Sequence, residues 1–201
     1  MMNDSTHRRV ERTRDILRQQ SIDAIIVSSP ANRRYLTGFT GSAGSAVITM
    51  TDAYFLTDFR YVEQVKAQCP GWTLVEISQG NITSVQDVLK GAGAKEVAIE
   101  GAYTSVTEFS QLQETIPGVT WHPITGWIER LRAVKDEGEL RTMQQAIDIA
   151  DRAFEYISSR LVGKTEKSIA FDLETFMRRE GAVSHSFSSI VASGENGAFS
   201  S

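Results

Sequence analysis

Apolar residues in the first two-thirds of the chain come as short runs separated by polar and glycine-rich breaks. Ala24 to Val27 (AIIV) is a buried-type run inside a strand over Asp23 to Ser29. Ser45 to Met50, Tyr54 to Asp58, Thr73 to Ile77, Glu96 to Glu100 and Thr120 to Ile124 also read as strands. Helical spacing fills the intervals. A first helix is capped by Asp4 or Ser5, with Val10, Ile16 and Leu17 on one side of a charged surface. A short one runs from Pro30 and Asn32 through Leu36 and ends at Gly38, since glycine takes the left-handed cap conformation at no steric cost. Arg60 to Gln68, stopped by Pro70 and Gly71, and the segments Ile82 to Leu89 and Ser105 to Thr115 complete the set. Only Thr51, Asp52 and Ala53 separate the second and third strands, so those two must be antiparallel. One hairpin and several crossovers predict a mixed α/β sheet with helices on its faces over residues 1 to about 125.

The texture changes after Gly126. Trp127 to Val134 reads as a short helix or linker. Asp136 to Leu161 is one long amphipathic helix with Leu140, Met143, Ile147, Ala150, Phe154, Ile157 and Leu161 spaced by threes and fours. Thr165 caps a second helix with an inner face of Ile169, Leu173, Phe176 and Met177, closed at Gly181. Ser186 to Ser193 reads as a strand and Gly194 to Gly197 as a turn. Two striped helices and one strand do not make a core. A lone strand leaves its ladder groups unpaired. Side chains such as Phe154, Ile157, Phe176 and Met177 left in water forfeit about 1.5–3 kcal/mol each. The sheet that would cover them is expected beyond Ser201 or in another chain.

Composition narrows the function classes. With 41% apolar and 23% charged residues the chain is an ordinary globular one, and its 201 residues suit one large domain or one medium domain plus part of another. A net charge of −4 and basic runs no longer than two residues give no footprint for nucleic acid. No window approaches a membrane span, and the N-terminus lacks an apolar signal core. A single cysteine, Cys69, excludes an internal disulfide framework, and the compartment is read as cytoplasmic. His7, His122 and His185 are too scattered for a zinc cluster, and no Asp/Glu/His set has divalent-metal spacing. Gly41 to Gly44 (GSAG) is followed by a strand, so it is a tight turn and not a phosphate loop. Asp58 is placed to cap the helix opened by Phe59, Arg60 and Tyr61. Arg60 is either a solvated first-turn residue or a rigid guanidinium aimed at a carboxylate.

Several strings resemble one family. Residues 32–39 (NRRYLTGF), 41–49 (GSAGSAVIT) and 57–61 (TDFRY) resemble the creatinase-type N-terminal domain of Xaa-Pro aminopeptidases and prolidases. Residues 131–140 (LRAVKDEGEL) are similar to that family's interdomain signature. Residues 165–170 (TEKSIA) and 186–194 (SFSSIVASG) are similar to the start of its pita-bread catalytic domain. The resemblance implies an α/β, mixed-sheet creatinase-type domain over 1–130. It is followed over 131–201 by the incomplete first helices and strand of an α+β pita-bread domain. Its implied activity is hydrolysis of Xaa-Pro bonds in proline-containing peptides, with two divalent metals, often manganese, supplying a bridging hydroxide. The family's ligands (two Asp, one His, two Glu) lie downstream of the segment matching Gly194. No metal or catalytic residue carries onto this chain, which is expected to be inactive alone. The first domain is expected to form a homodimer and to wall the partner's active-site mouth, with Phe39, Arg60 and Tyr61 as candidate substrate-binding residues.

There are departures from the family pattern. Ser200 and Ser201 stand where the family continues with Pro and His after Ala198 and Phe199. Gly138 replaces a helix former, and Ser168 replaces the Glu of a capping box with Thr165. These departures motivate an alternative, a non-catalytic peptide- or protein-binding module of the same family.

Overall fold

The computed structural model describes residues 2, 4–78 and 80–198. These form two compact units, Met1–Val134 and Lys135–Ser201. The first contains helices α1 (Asp4–Gln20), α2 (Pro30–Thr37), α3 (Val62–Gln68), α4 (Asn81–Gly91), α5 (Val106–Thr115) and α6 (Trp127–Ala133). Its strands are β1 (Ala24–Val27), β2 (Ser45–Thr49), β3 (Ala53–Thr57), β4 (Thr73–Glu76), β5 (Glu96–Glu100) and β6 (Thr120–Ile124). They form one sheet in the order β4-β3-β2-β1-β5-β6. As the three-residue connection requires, β2 and β3 are antiparallel, with Val47 opposite Tyr54. β1 also runs antiparallel to β2, while β1, β5 and β6 are mutually parallel.

The side-chain period of two splits the core into two layers. Ile25, Val27, Ala46, Ile48, Phe55 and Ala98 face a layer containing residues of α1, α2, α3 and α6, among them Val10, Leu17, Leu36, Val65 and Ile128. Ala24, Ile26, Val47, Leu56, Val97 and Ile99 face the other layer, with Val85, Val88 and Leu89 of α4 and Leu112 of α5. Covered on both sides, β1 and β2 are buried at every position, which is why their sequences run apolar without alternation.

Local chemistry sets the ends of the elements. The Ser29 side chain accepts from the Asn32 N–H at the start of α2, and Gly38 closes that helix with φ of 80°. Ser105 caps α5 in the same way. Asp58 Oδ1 accepts from the Arg60 N–H, opening a short 3-10 turn over Phe59–Tyr61 ahead of α3. The region read as one helix from Arg60 is therefore a tight turn followed by an α-helix.

The second unit contains α7 (Glu137–Ser158) and α8 (Glu166–Arg179). A reciprocal capping box between Asp136 and Glu139 opens α7. Thr165 accepts from the Ser168 N–H but has no acidic partner to complete a box, as the serine at 168 leads one to expect. The two helices shelter part of each other's apolar stripe. Tyr156 stacks on Phe176 with ring centroids 4.4 Å apart, and Ile157 is buried.

Residues 186–193 correct an expectation, because they form no strand. A strand needs a neighbour to take up its N–H and C=O groups, and the described residues of this unit supply none. Side chains of α8 hold the segment instead: Ser189 Oγ donates to Glu174, and the Ser193 N–H donates to Glu166. Gly194 to Gly197, expected as a turn, lies in a short 3-10 helix over Gly194–Ala198. The departure at Ser200 and Ser201 lies outside the described residues.

Candidate functional site

The three residues singled out from the sequence do come together, in and around the loop that follows α2. Arg33 organises this loop from within. It is buried, and its guanidinium donates to the carbonyls of Gly44, Gly41 (2.9 Å) and Ser28 (3.4 Å). Burial pushes its pKa down, yet a guanidinium remains charged at any physiological pH. Three carbonyl dipoles compensate that charge. The cation also lies 5.6 Å from the centroid of Phe39, on the ring's electron-rich face.

Phe39 is itself buried, packed against Phe55 (centroids 4.6 Å apart) and edge-on to Tyr61 (5.7 Å, 82°). Gly41 crosses directly over these rings. A Cβ there would lie 2.3 Å from Phe39 and 2.9 Å from Tyr61, so only glycine lets the loop pass. The Tyr61 hydroxyl is 2.6 Å from Ser42 Oγ and pins the loop from outside, and the Thr40 N–H donates to Gln68 of α3.

Arg60 is the exposed member. Its Nε and Nη2 reach Asp58 Oδ1 and Oδ2 at 2.9 and 2.8 Å, a bidentate pair that holds the Asp58 carboxyl below its usual range. The guanidinium is thus aimed at a carboxylate, but at one of its own chain. Its side chain remains 61% exposed and lies 5.5 Å from the Tyr61 ring. Beside it, Phe59, read as opening the helix that Asp58 caps, stands 76% exposed.

A second cluster leaves little trace in the sequence. Glu100, at the end of β5, is buried and accepts from the Ser28 and Ser29 N–H groups (2.6 and 2.7 Å) and from Asn32 Nδ2 (2.6 Å). The Asn32 amide also donates to Glu129 (2.6 Å), while its Oδ1 accepts from Arg132 (2.8 Å). The signal was faint: an acidic residue closing an apolar strand, and an asparagine in a helix's first turn. The network joins α6 to α2 and to the ends of β1 and β5. It borders a cleft of about 180 Å³ lined by Ser29, Glu100, Tyr103, Thr125 and Glu129.

The histidines and the cysteine outside these clusters sit in structural surroundings. His122 lies 2.6 Å from Glu96 across β5 and β6, holding that carboxyl below its usual range. In the second unit His185 Nδ1 is 3.7 Å from Glu174, beyond hydrogen-bonding distance, and not at a strand start. The buried Cys69 thiol is pushed up to about 11 by desolvation, which leaves it protonated and unreactive at neutral pH. Among the described residues no three His, Cys, Asp or Glu side chains are grouped to hold a metal ion. None of their helices is long and apolar enough to cross a membrane. What the loop cluster offers is a rigid rim of aromatic and guanidinium groups.

Comparison with known proteins divides the chain almost where the structure does. Residues 9–134 match the Creatinase/Prolidase N-terminal domain, and residues 141–201 match metallopeptidase family M24. The uncharacterized peptidase YqhT of Bacillus subtilis is 37% identical over 187 residues, covering 92% of this chain and 53% of that protein. Among solved structures, an Xaa-Pro dipeptidase from Bacillus anthracis superposes with a TM-score of 0.86 at 35% identity, covering 90% of this chain and 51% of the other. An Xaa-Pro aminopeptidase chain from Streptococcus thermophilus matches 64% of this chain over 99% of its own length, with a TM-score of 0.60 at 29% identity. The chain thus spans about half the length of the first two of these relatives.

Proposed function

The chain belongs to the Creatinase/Prolidase N-terminal domain family, and from that premise we propose that it is the N-terminal portion of a metallopeptidase that hydrolyses Xaa-Pro peptide bonds. One observation carries the reading: the structural division after Val134 falls between two family matches that follow one another in the same order. The first unit is the creatinase-type domain, and the second is the front of the M24 domain. The 201 residues alone do not hydrolyse the bond in this reading.

M24 membership implies divalent metal ions. The described residues do not fit them, since no ligand set is grouped among them, and no step of hydrolysis is derived from these side chains. Manganese is the metal we favour. The buried, unpaired thiol of Cys69 suits a reducing compartment, the cytoplasm.

The first unit, in this reading, pairs with a second copy and lends its loop rim to the mouth of that copy's catalytic site. Arg60 and Tyr61 touch the substrate peptide there, and Phe39 supports them from the core. Arg60→Ala, in a chain carrying a complete metallopeptidase domain, should lower kcat/KM for an Ala-Pro or Lys-Pro substrate about fivefold, roughly 1 kcal/mol of transition-state binding. The melting temperature of the first unit should stay unchanged, because the Arg60–Asp58 pair is exposed. An unchanged kcat/KM would remove the substrate role. Measured cleavage by the purified 201-residue chain with manganese would overturn the assignment of the chemistry to the missing part.

A further inference from the structure

The cleft beside Glu100 opens where the chain changes from one face of the sheet to the other. β1 and β5 are neighbouring parallel strands, so their carboxyl ends lie on the same edge of the sheet. The chain leaves β1 for α2, which packs in the layer of Val10 and Leu17. It leaves β5 for α5, which packs in the opposite layer with Val85 and Leu89. Helices that part to opposite faces leave a crevice between two strand ends, and open α/β sheets bind small ligands in such crevices. The cleft of about 180 Å³ occupies this place: Ser29 follows β1, Glu100 ends β5, Tyr103 follows it, and Gly126 follows β6.

The cleft carries charge of both signs. Glu100 and Glu129 each accept from the same Asn32 Nδ2 at 2.6 Å, so their carboxylates stand close enough for one further donor to reach both. Glu100 is fixed by the Ser28 and Ser29 N–H groups, while Glu129 is exposed and offers its second oxygen. At the wall formed by Gly126 lies a cation. Arg130 Nη1 is 3.3 Å from where a Cβ on Gly126 would stand. Ile124 and Tyr103 add apolar surface to the lining. The volume is below the roughly 300–1,000 Å³ of pockets for drug-sized ligands, so it suits one small molecule and excludes a peptide.

We propose that this cleft binds a free α-amino acid. Its ammonium sits on Glu100 and Glu129, its carboxylate faces Arg130, and a short aliphatic side chain lies against Ile124 and Tyr103. A lone anion would meet two carboxylates and a lone cation would leave Arg130 unanswered, so the zwitterion is the charge pattern that fits. Every lining residue belongs to the first unit, so the site does not depend on the reading of the chain as part of a peptidase.

The test is a nuclear magnetic resonance titration of the isotopically labelled 201-residue chain. The probes are L-alanine and two relatives that each lack one charge, L-alaninamide and N-acetyl-L-alanine. L-Alanine is expected to shift the amides of Ser29, Glu100, Tyr103 and Thr125 saturably with a Kd of about 1 mM, and each relative to bind at least about tenfold more weakly. Glu129→Gln should weaken L-alanine about tenfold or more, because its amide oxygen still accepts from Asn32 but carries no charge. Arg130→Gln should reduce the preference for L-alanine over L-alaninamide to about twofold or less. The first unit's unfolding midpoint should be unchanged in both variants, which separates a lost ligand contact from a lost fold. No saturable shift up to about 50 mM, or an unchanged Kd in Glu129→Gln, overturns the site. Equal binding of L-alaninamide overturns the amino-acid assignment.

Discussion

Asp23 shows how much a single side chain can do at a strand entrance. Its Oδ2 accepts from the backbone N–H groups of Lys95 and Glu96 (2.8 and 2.9 Å), so it fastens the start of β5 beside β1. Those N–H groups, Glu96 first and then Lys95, hold its carboxyl below the usual range. A lowered folded-state value means the stabilisation is complete above the unfolded value near ~4 and is lost as pH falls through the folded value. Asp23→Asn should therefore flatten the acid limb of the first unit's stability below about pH 4, and at pH 7 should cost about 1 kcal/mol in urea unfolding. Glu100 is the more severe case, because the carboxylate is itself buried and accepts from three donors. Glu100→Ala should cost about 3 kcal/mol by the same measurement, since the Ser28 and Ser29 N–H groups are left without an acceptor. At this scale the sequence was a partial guide. It brought out Asp58 as a cap, because that role is local, and left Arg60 between a solvated first-turn residue and a guanidinium held on a carboxylate, where the structure has it both exposed and paired with Asp58. It could not separate the buried Phe39 from the exposed Phe59, since both follow short polar stretches and only the crossing of Gly41 decides which ring is covered.

Elements were legible where they carry their own punctuation. α7 announces itself through the Asp136/Glu139 capping box and a stripe of threes and fours, and it forms even though much of that stripe stays wet. Gly138 is tolerated because it sits in the first turn, inside the capping box, and not in the interior where glycine costs about 1 kcal/mol. Asp136→Ala should lower helicity and cost about 1 kcal/mol, read by circular dichroism through the thermal transition of the second unit. Strands carry less of their own cause. β1 and residues 186–193 both look strand-like in sequence, but β1 has β2 and β5 beside it and, among the described residues, the later segment has no strand beside it.

At the scale of the whole molecule, stability is unevenly shared. The first unit buries two layers against a six-stranded sheet, and among the described residues of the second only Ala153 and Ile157 are buried apolar side chains. Native-state exchange should show slow amides in β1, β2 and β5, and amides in α8 and residues 182–193 exchanging orders of magnitude faster. Uniform slow exchange through 161–193 in the isolated chain would mean that a second copy covers it. The hydrophobic pattern alone determined the element order, the β2–β3 hairpin, the mixed character of the sheet and the change of texture after Gly126, because turn chemistry and periodicity act over a few residues. Only the tertiary structure decided the strand order, the burial of Arg33 and Glu100, the outward turn of Phe59 and the failure of residues 186–193 to pair. Each of these depends on a partner distant in sequence, as with Glu100 and Ser28, or on the lack of one, and no local pattern records which distant residue will arrive.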